Sequence, residues 1–280
     1  MDYIEIKLVF KEVDPWKDIF TSLLGDLGCD SFMDGENDHI LLAYITENLF
    51  HEKNIFALLD SFLPENQPKI SFQKIITQDW NAVWEANYSP VLIADQCYIR
   101  APFHESNPHV DFDLIIEPKM SFGTAHHETT SLMIEYLLQE NTAGKSVLDM
   151  GSGTGVLAIL AYLKGSRPVV AIDNDEWAYK NNIENNAHNH TEAIQVIHGD
   201  AHAIPNQAFD LISANINRNI LLNDIVHYAK HLKKGGNLIM SGFYHHPDLE
   251  IIKEKCQEYS LTLASFKEKN DWVAGRFILF

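Results

Sequence analysis

Three glycines alternate with small polar residues directly after a short apolar stretch. Residues 147–155 read Val-Leu-Asp-Met-Gly-Ser-Gly-Thr-Gly, and a second apolar run follows over 156–163. Glycine tolerates positive φ angles and lets a ligand approach the backbone closely. Asp149 lies just before the turn, and Asp173 ends the next apolar run, 168–172. A glycine turn between a strand and a helix, with an acid after the second strand, is typical of a nucleoside-binding α/β unit.

The glycine spacing narrows the choice of cofactor. Dinucleotide-binding turns read G-x-G-x-x-G, whereas this turn reads G-x-G-x-G and continues with Val156. The Asp149 carboxylate would repel a pyrophosphate and attract a ligand that carries an ammonium group. Asp173 is placed to accept hydrogen bonds from both ribose hydroxyls. We therefore predict S-adenosylmethionine, bound at Gly151, Gly153 and Asp173; an NAD-dependent oxidoreductase is an alternative that the spacing disfavours.

The composition limits the class of protein. The chain has 280 residues, of which 46% are hydrophobic, enough for two domains with sizeable cores. A formal net charge of −18 argues against non-specific nucleic-acid binding and favours a basic partner. Three scattered cysteines and the adjacent histidine pairs lack the spacing of a metal site, so we expect no metal. Without a signal peptide or a membrane-length apolar run, we expect a cytoplasmic protein.

The first part of the chain predicts a domain of its own. Over residues 1–77, hydrophobic periodicity and turn signals give the order β-α-β-β-α-β, which is that of a ferredoxin-like domain. Residues 78–90 follow as a predicted linking helix, in which Trp80 and Trp84 lie one turn apart on one face. We assign residues 91–280 to a second domain.

Strands and helices alternate in this second domain, as in a doubly wound sheet. Seven strands are predicted, near 146–150, 168–173, 194–198, 209–214, 236–241, 260–267 and 272–279. The last two are separated by a short polar turn and should form an antiparallel hairpin on an otherwise parallel sheet. Seven strands that end in such a hairpin fit a class I methyltransferase better than a six-stranded dehydrogenase sheet.

Three segments resemble one known family. Residues 120–130 read Met-Ser-Phe-Gly-Thr-Ala-His-His-Glu-Thr-Thr; with the glycine turn and Asn215-Ile216-Asn217, they resemble the bacterial methyltransferases of ribosomal large-subunit protein eleven (L11). The resemblance covers essentially the whole chain, and the Phe-Gly-Thr segment is its most specific part. The family's usual loop reads Phe-Gly-Thr-Gly-Thr-His-Pro-Thr-Thr. Here Ala125 and His126 replace its second Gly-Thr pair, and Glu128 replaces its proline.

The resemblance implies a function and a set of site residues. It implies methylation of lysine side-chain and N-terminal amines of L11, with the first domain recognising that protein, and we expect a monomer with no direct contact to nucleic acid or membrane. The residues implied to contact S-adenosylmethionine are Thr130, Gly151, Asp173 and Asn215, with Phe122 close to it. From its position alone, Asp200 is expected to accept from the adenine amino group.

Asn215 is also the candidate catalytic residue. It follows the predicted strand 209–214, where its side-chain oxygen could orient the amine that is methylated; as an alternative, Asn215 or Asn217 caps the next helix. Other substrates of an S-adenosylmethionine-dependent enzyme stay open, namely a glutamine amide, an RNA base or a small molecule. Amide and adenine methylases carry Asn/Asp-Pro-Pro-Tyr/Phe at this point, whereas this chain reads Asn-Ile-Asn-Arg. A non-catalytic binding protein with the same fold is a further alternative.

Overall fold

The computed structural model describes residues 2–62, 67–75, 88–119 and 123–280. The chain divides into two compact units, Met1–Asn87 and Tyr88–Phe280. Most of the predicted linking helix, with Trp80 and Trp84, lies outside the described residues, and residues 88–90 are not helical. None of the helices in the described ranges is long and apolar enough to cross a membrane.

The first unit is a four-stranded sheet with two helices. In chain order its elements are β1 Tyr3–Val9, α1 Trp16–Asp26, β2 Ser31–Asp34, β3 Ile40–Thr46, α2 Glu52–Asp60 and β4 Lys69–Ile75. The strands lie in the order β2-β3-β1-β4, and all neighbours are antiparallel. Every second residue of β1 is buried, so one face of the sheet packs on the helices through a core that includes Ile6, Phe20 and Ile55.

The second unit contains a small sheet and a large one. Three short strands open it: β5 Val91–Ile93, β6 Cys97–Arg100 and β7 Phe112–Ile115. The large sheet has seven strands: β8 Val147–Met150, β9 Val169–Asp173, β10 Gln195–His198, β11 Phe209–Asn215, β12 Leu232–Tyr244, β13 Leu261–Lys269 and β14 Trp272–Leu279. The helices are α3 Glu128–Gln139, α4 Val156–Leu163, α5 Glu176–His188, α6 Arg218–His231 and α7 Glu250–Gln257.

The seven-stranded sheet has the predicted mixed topology. Its order is β10-β9-β8-β11-β12-β14-β13; β14 runs antiparallel to both neighbours, and the other neighbouring pairs are parallel. Alternate residues of the central strands enter two separate cores, one shared with α3 and α4 and the other with α6 and α7. Because helices cover both faces, β8 and β9 are apolar almost throughout and fully buried.

A tight turn forms the hairpin of β13 and β14. Asn270 and Asp271 connect the two strands, and their φ angles are +50° and +65°. Two positive φ angles match the right-handed twist of a two-residue hairpin, and Asn and Asp tolerate them better than most side chains. The turn brings Trp272, the first residue of β14, opposite Tyr244 at the end of β12.

Candidate active site

A cavity of about 550 Å³ lies at the carboxyl ends of the central parallel strands. Ligands of doubly wound folds bind at this edge, where the loops that follow the strands converge. Four of the predicted site residues line it: Gly151, Gly153, Asp173 and Asn215. Thr130 lines a small adjoining pocket together with Gly151 and Asn215. The structure thus brings five of the seven predicted residues together from four different elements.

The glycine turn adopts a backbone that only glycine takes up without strain. The φ angles of Gly151, Gly153 and Gly155 are +62°, +54° and +83°. A Cβ on Gly151 would collide with the Cγ2 of Ile216, and one on Gly155 would lie 2.6 Å from the Oδ1 of Asn182. The turn therefore presents bare backbone to the cavity and passes directly into α4, with Gly155 as its N-cap residue.

Asp173 ties the end of β9 to the turn. Its Oδ2 accepts a hydrogen bond of 2.7 Å from the backbone N–H of Gly153, and its Oδ1 accepts one of 2.9 Å from the N–H of Asp175. The side chain is largely buried but borders the cavity. Both oxygens retain lone pairs for a further donor, since a carboxylate accepts about four hydrogen bonds.

Asp149 lies beneath the turn and does not border the cavity directly. It is 1% exposed, and its Oδ1 accepts a hydrogen bond of 2.8 Å from the hydroxyl of Ser213. Its Oδ2 has no hydrogen-bond partner among the described residues. Burial raises the pKa of Asp149 to about 7, and the neighbouring Asp173 adds to the rise, while the Ser213 hydroxyl opposes it. A cationic ligand above the turn would stabilise the ionised form.

Asn215 is the polar group at the centre of the site. It ends β11 with 9% of its surface exposed, and its Nδ2 donates to the hydroxyl of Thr130 over 3.2 Å. Its Oδ1 is buried without a partner in the described part of the chain. Asn217, and not Asn215, caps α6, because the Asn217 side chain accepts a hydrogen bond from the N–H of Asn219. The Asn215 oxygen is therefore not used as a helix cap and keeps its capacity to accept a hydrogen bond.

The loop that precedes α3 is held against the glycine turn. Thr154 donates its hydroxyl hydrogen to the carbonyl of Gly123 over 2.8 Å. The His127 side chain caps α3 by accepting from the N–H of Thr129. His126 is exposed, and its ring contacts the carbonyl oxygen of Ser89 at 2.9 Å. Phe122, predicted to lie close to the cofactor, falls outside the described residues.

Asp200 does not border the cavity. It precedes a short 3-10 turn, Ala201–Ala203, and its Oδ1 accepts a hydrogen bond of 2.9 Å from the N–H of His202. The residue is exposed and follows β10, one strand beyond the Asp173 strand. The contact of Asp200 with the adenine amino group stays a prediction.

Sequence reasoning missed several residues that form the site. Trp272 and Gly242 border the cavity, although they lie about 90 to 120 positions beyond the glycine turn. Asn182 and Asn185 on α5 support the turn from below by donating to the Ser152 hydroxyl and the Thr154 carbonyl. The run Asn-Asn-Ile-Glu-Asn-Asn over 181–186 could have signalled them, because asparagines at helical spacing are unusual on a buried face.

Comparison with known proteins identifies the family. The family model described as "Ribosomal protein L11 methyltransferase (PrmA)" matches residues 29–277. The chain belongs to this family. A relative from Bacteroides fragilis, named ribosomal protein L11 methyltransferase, is 43% identical over 94% of each chain. A relative of the same name from Phocaeicola vulgatus is 40% identical over 100% of each chain.

A solved structure of the family supports the fold. The ribosomal protein L11 methylase from Lactobacillus delbrueckii subsp. bulgaricus is 25% identical and superimposes with a TM-score of 0.63. The match covers 69% of this chain and 100% of that one. The seven-stranded mixed sheet is accordingly a class I methyltransferase-like α/β fold, as the strand pattern predicted.

Proposed function

We propose that this protein transfers methyl groups from S-adenosylmethionine to lysine side-chain and N-terminal amines of ribosomal protein L11. One observation carries the proposal: Asn215, which lines the same cavity as the glycine turn, has a buried amide oxygen without a partner among the described residues. The names of the relatives point to L11 as the substrate. An active site for an amine needs such an acceptor beside the bound methyl donor, since the geometry of the attack decides the rate.

The residues fit the proposed cofactor. The unpartnered Asp149 Oδ2 beneath the turn provides negative charge for a ligand that carries both a sulfonium and an ammonium group. The bare backbone at Gly151 and Gly153 leaves room for its amino-acid end. Asp173 would accept from the ribose hydroxyls, and Thr130 would lie beside the sulfonium end through its contact with Asn215. Phe122 and Asp200 remain proposed contacts, the latter to the adenine amino group.

The chain's own groups would orient the amine and favour its neutral form. When bound, S-adenosylmethionine supplies a methyl group on a positively charged sulfur: the C–S bond breaks as the N–C bond forms, and its electron pair stays on sulfur. The substrate ammonium must first lose a proton to the solvent, and partial removal from water lowers its pKa. The Oδ1 of Asn215 would then accept a hydrogen bond from the neutral amine. That bond directs the nitrogen lone pair toward the methyl carbon.

The first unit is proposed to recognise the substrate. Its element order β-α-β-β-α-β and strand order β2-β3-β1-β4 support its assignment as a ferredoxin-like domain. A function in recognition agrees with the net charge of −18, because ribosomal proteins are basic and opposite charge accelerates encounter. The proposed division into a recognition domain (1–77), a linker (78–90) and a methyltransferase domain (91–280) lies close to the boundary between the two compact units.

The test is a methylation assay with purified components. The protein, S-adenosylmethionine and unmethylated L11 are mixed, and the mass of intact L11 is followed with time. We expect successive gains of one methyl group, and we expect Asn215→Ala to slow them about 100-fold or more, as for the loss of one positioned hydrogen-bonding group. Asn223→Ala, at an exposed position of α6 away from the cavity, is the matched control.

Two results would overturn parts of the proposal. An unchanged L11 mass with the wild-type protein would exclude L11 as the substrate, and the same assay with ribosomal RNA would then test the RNA alternative. If Asn215→Ala kept most of the activity while Asn223→Ala behaved like the wild type, Asn215 would not orient the amine. Calorimetric titration with S-adenosylmethionine separates a loss of cofactor binding from a loss of chemistry.

A further inference from the structure

Three aromatic rings form a continuous wall at one end of the cavity. The rings of Trp272 and Tyr244 lie 4.1 Å apart between centroids, with an interplanar angle of 32°. The ring of His127 lies 4.8 Å from that of Trp272, at an interplanar angle of 71°. Trp272 and His127 both border the cavity, and 46% of the Tyr244 surface is exposed. We call these three residues the aromatic wall.

Strand pairing and two hydrogen bonds fix the backbone around the aromatic wall. Tyr244 pairs with Trp272 across β12 and β14, and its backbone N–H donates to the buried carboxylate of Asp248. The hairpin turn before Trp272 is tied to α3, because Asn270 donates to the Glu128 carboxylate over 2.9 Å. The ring positions are therefore set by backbone pairing and by contacts between elements, which suits a binding surface better than a loosely packed edge.

The strand order places the aromatic wall far from Asp173, where the nucleoside of the cofactor is proposed to bind. Asp173, the proposed ribose acceptor, ends β9, whereas Trp272 begins β14, four strands away. At about 4.8 Å per strand this amounts to roughly 19 Å. Asn215 on β11 lies between them. A nucleoside held at Asp173 and a group held at the aromatic wall would thus lie on opposite sides of Asn215.

The charges around the cavity favour a cation. Asp173 and Asp175 border it, and none of the lining residues in the described part of the chain is Lys or Arg. The hydrogen bond from Asn270 lowers the pKa of Glu128, so this carboxylate beside the aromatic wall is ionised at neutral pH. Aromatic faces attract cations, and tryptophan does so most strongly. Methylated ammonium groups are the usual ligands of such aromatic sites, because they are poorly hydrated.

We propose that Trp272 is a specificity-determining residue that holds the partly methylated amine between successive transfers. The inference rests on the proposed amine methylation. After one or two transfers the nitrogen carries a proton and a positive charge, and it must lose that proton before its lone pair can form another N–C bond. Retention against Trp272 keeps the side chain within the cavity, from which its amine can return to Asn215, while the spent cofactor is exchanged. Trp272 thereby sets how many methyl groups each amine receives.

The test compares the distribution of methyl groups rather than the total activity. Wild type, Trp272→Phe and Trp272→Leu are allowed to convert the same fraction of L11, and the mono-, di- and trimethylated forms of each site are counted by peptide mass spectrometry. We expect Trp272→Leu to lower the ratio of tri- to monomethylated sites about fivefold, and Trp272→Phe to give an intermediate ratio, in line with the strength of cation–aromatic contacts.

Trp177→Leu is the matched control. Trp177 is 77% exposed at the start of α5 and does not border the cavity, so its loss should leave the distribution unchanged. An unchanged tri-to-mono ratio in Trp272→Leu, at equal conversion, would overturn the inference while leaving the proposed function intact. A wild-type protein that adds no methyl group to L11 would overturn the proposed function, and the inference with it.

A second measurement uses only the wild-type protein, so it does not depend on whether a variant folds. Choline and its neutral analogue 3,3-dimethylbutan-1-ol have nearly the same shape and differ in charge. We expect choline to inhibit methylation competitively with L11 and at several-fold lower concentration than the neutral analogue. Equal inhibition by the two compounds, or competition with S-adenosylmethionine instead of L11, would contradict a cation site at the aromatic wall.

Discussion

Asp149→Asn should alter the pH dependence of stability in the cofactor-free protein. Burial raises the pKa of Asp149 from 3.8 to about 7, so the folded state binds its proton more tightly than the unfolded state does. The stability that this proton contributes is complete below the unfolded pKa of 3.8 and is lost as the pH rises toward 7. Asparagine cannot ionise and escapes this loss. Between pH 5 and pH 8, the free energy of unfolding of the wild type should therefore fall by about 3 kcal/mol relative to that of the variant.

The substitution also changes stability in a way that does not depend on pH. An amide can still accept the hydrogen bond from Ser213, but its NH₂ group has no acceptor where the Asp149 Oδ2 now lies. This fixed cost, about 1 to 3 kcal/mol, is the same at both pH values and cancels when they are compared. The quantity that tests the reasoning is therefore the change between pH 5 and pH 8 in the difference between variant and wild type.

Urea unfolding of both proteins at the two pH values measures this quantity. Asp210→Asn serves as the control: although burial opposes it, hydrogen bonds from Lys233 and Ser146 lower the pKa of Asp210 to about 2. Asp210 is thus ionised in the folded and unfolded states throughout the range from pH 5 to pH 8, and its variant should show a constant difference. A constant difference for Asp149→Asn as well would mean that Asp149 ionises with an ordinary pKa, and would refute the argument from burial.

Three further substitutions probe how the site is positioned. Gly242→Ala would place a Cβ against the carbonyl of Ile216 at a φ of +99°, so we expect a loss of about 3 kcal/mol in the free energy of unfolding, measured in urea. Thr154→Val keeps the side-chain shape but removes the bond to Gly123, so we expect a loss of about 1 kcal/mol and weaker S-adenosylmethionine binding by calorimetry. Asp248→Asn weakens the 2.6 Å ion pair with Arg218 at the start of α6, so we expect a loss of about 2 kcal/mol in the free energy of unfolding, measured by thermal unfolding. An unchanged melting temperature would show that the ion pair does not stabilise the fold.

The parts of the fold that local sequence determines could be predicted. The glycine turn, the buried parallel strands and the final hairpin each carry their signal within a few residues, and strand and helix order then limit the topology. The ends of the elements depend on tertiary contacts. The strand β12 begins at Leu232, four residues before the predicted strand, because Leu232 pairs with Phe209 of β11. No local pattern encodes such a pairing between distant segments.

Apart from Thr130 on α3, which the family resemblance indicated, the candidate site was predictable where its residues lie at the ends of strands of the parallel sheet. Gly151, Asp173 and Asn215 do so, and the ends of parallel strands meet at one edge. Trp272 belongs to an antiparallel strand and reaches the cavity through its pairing with Tyr244. Its loop is secured by a bond from Asn270 to Glu128 that spans 142 positions in the chain. Tertiary contacts of this length have no signature in a single sequence.

Each of the three residues that differ from the family's usual loop makes an interaction of its own in the structure. Ala125 occupies a glycine position with a φ of +66°, a conformation that costs an alanine about 1 to 2 kcal/mol, but its methyl group is 1% exposed and packs in the core. His126 contacts the ring of Tyr88 at 4.8 Å and the backbone of Ser89. Glu128 replaces a proline at the first position of α3, where a carboxylate interacts favourably with the helix dipole.

The contacts of His126 and Glu128 attach the loop before α3 to further segments of the chain, while its hydrogen bond to the glycine turn is kept. Thr154 still bonds to Gly123, and the His127 cap still begins α3, so the retained residues keep the geometry that the cofactor would meet. The substituted residues instead join the loop to Ser89 and to Asn270, on the two sides of the site. An alanine in place of the second glycine also has fewer backbone conformations open to it in the unfolded chain. The altered sequence is therefore consistent with an active enzyme rather than with a binding protein that has lost its chemistry.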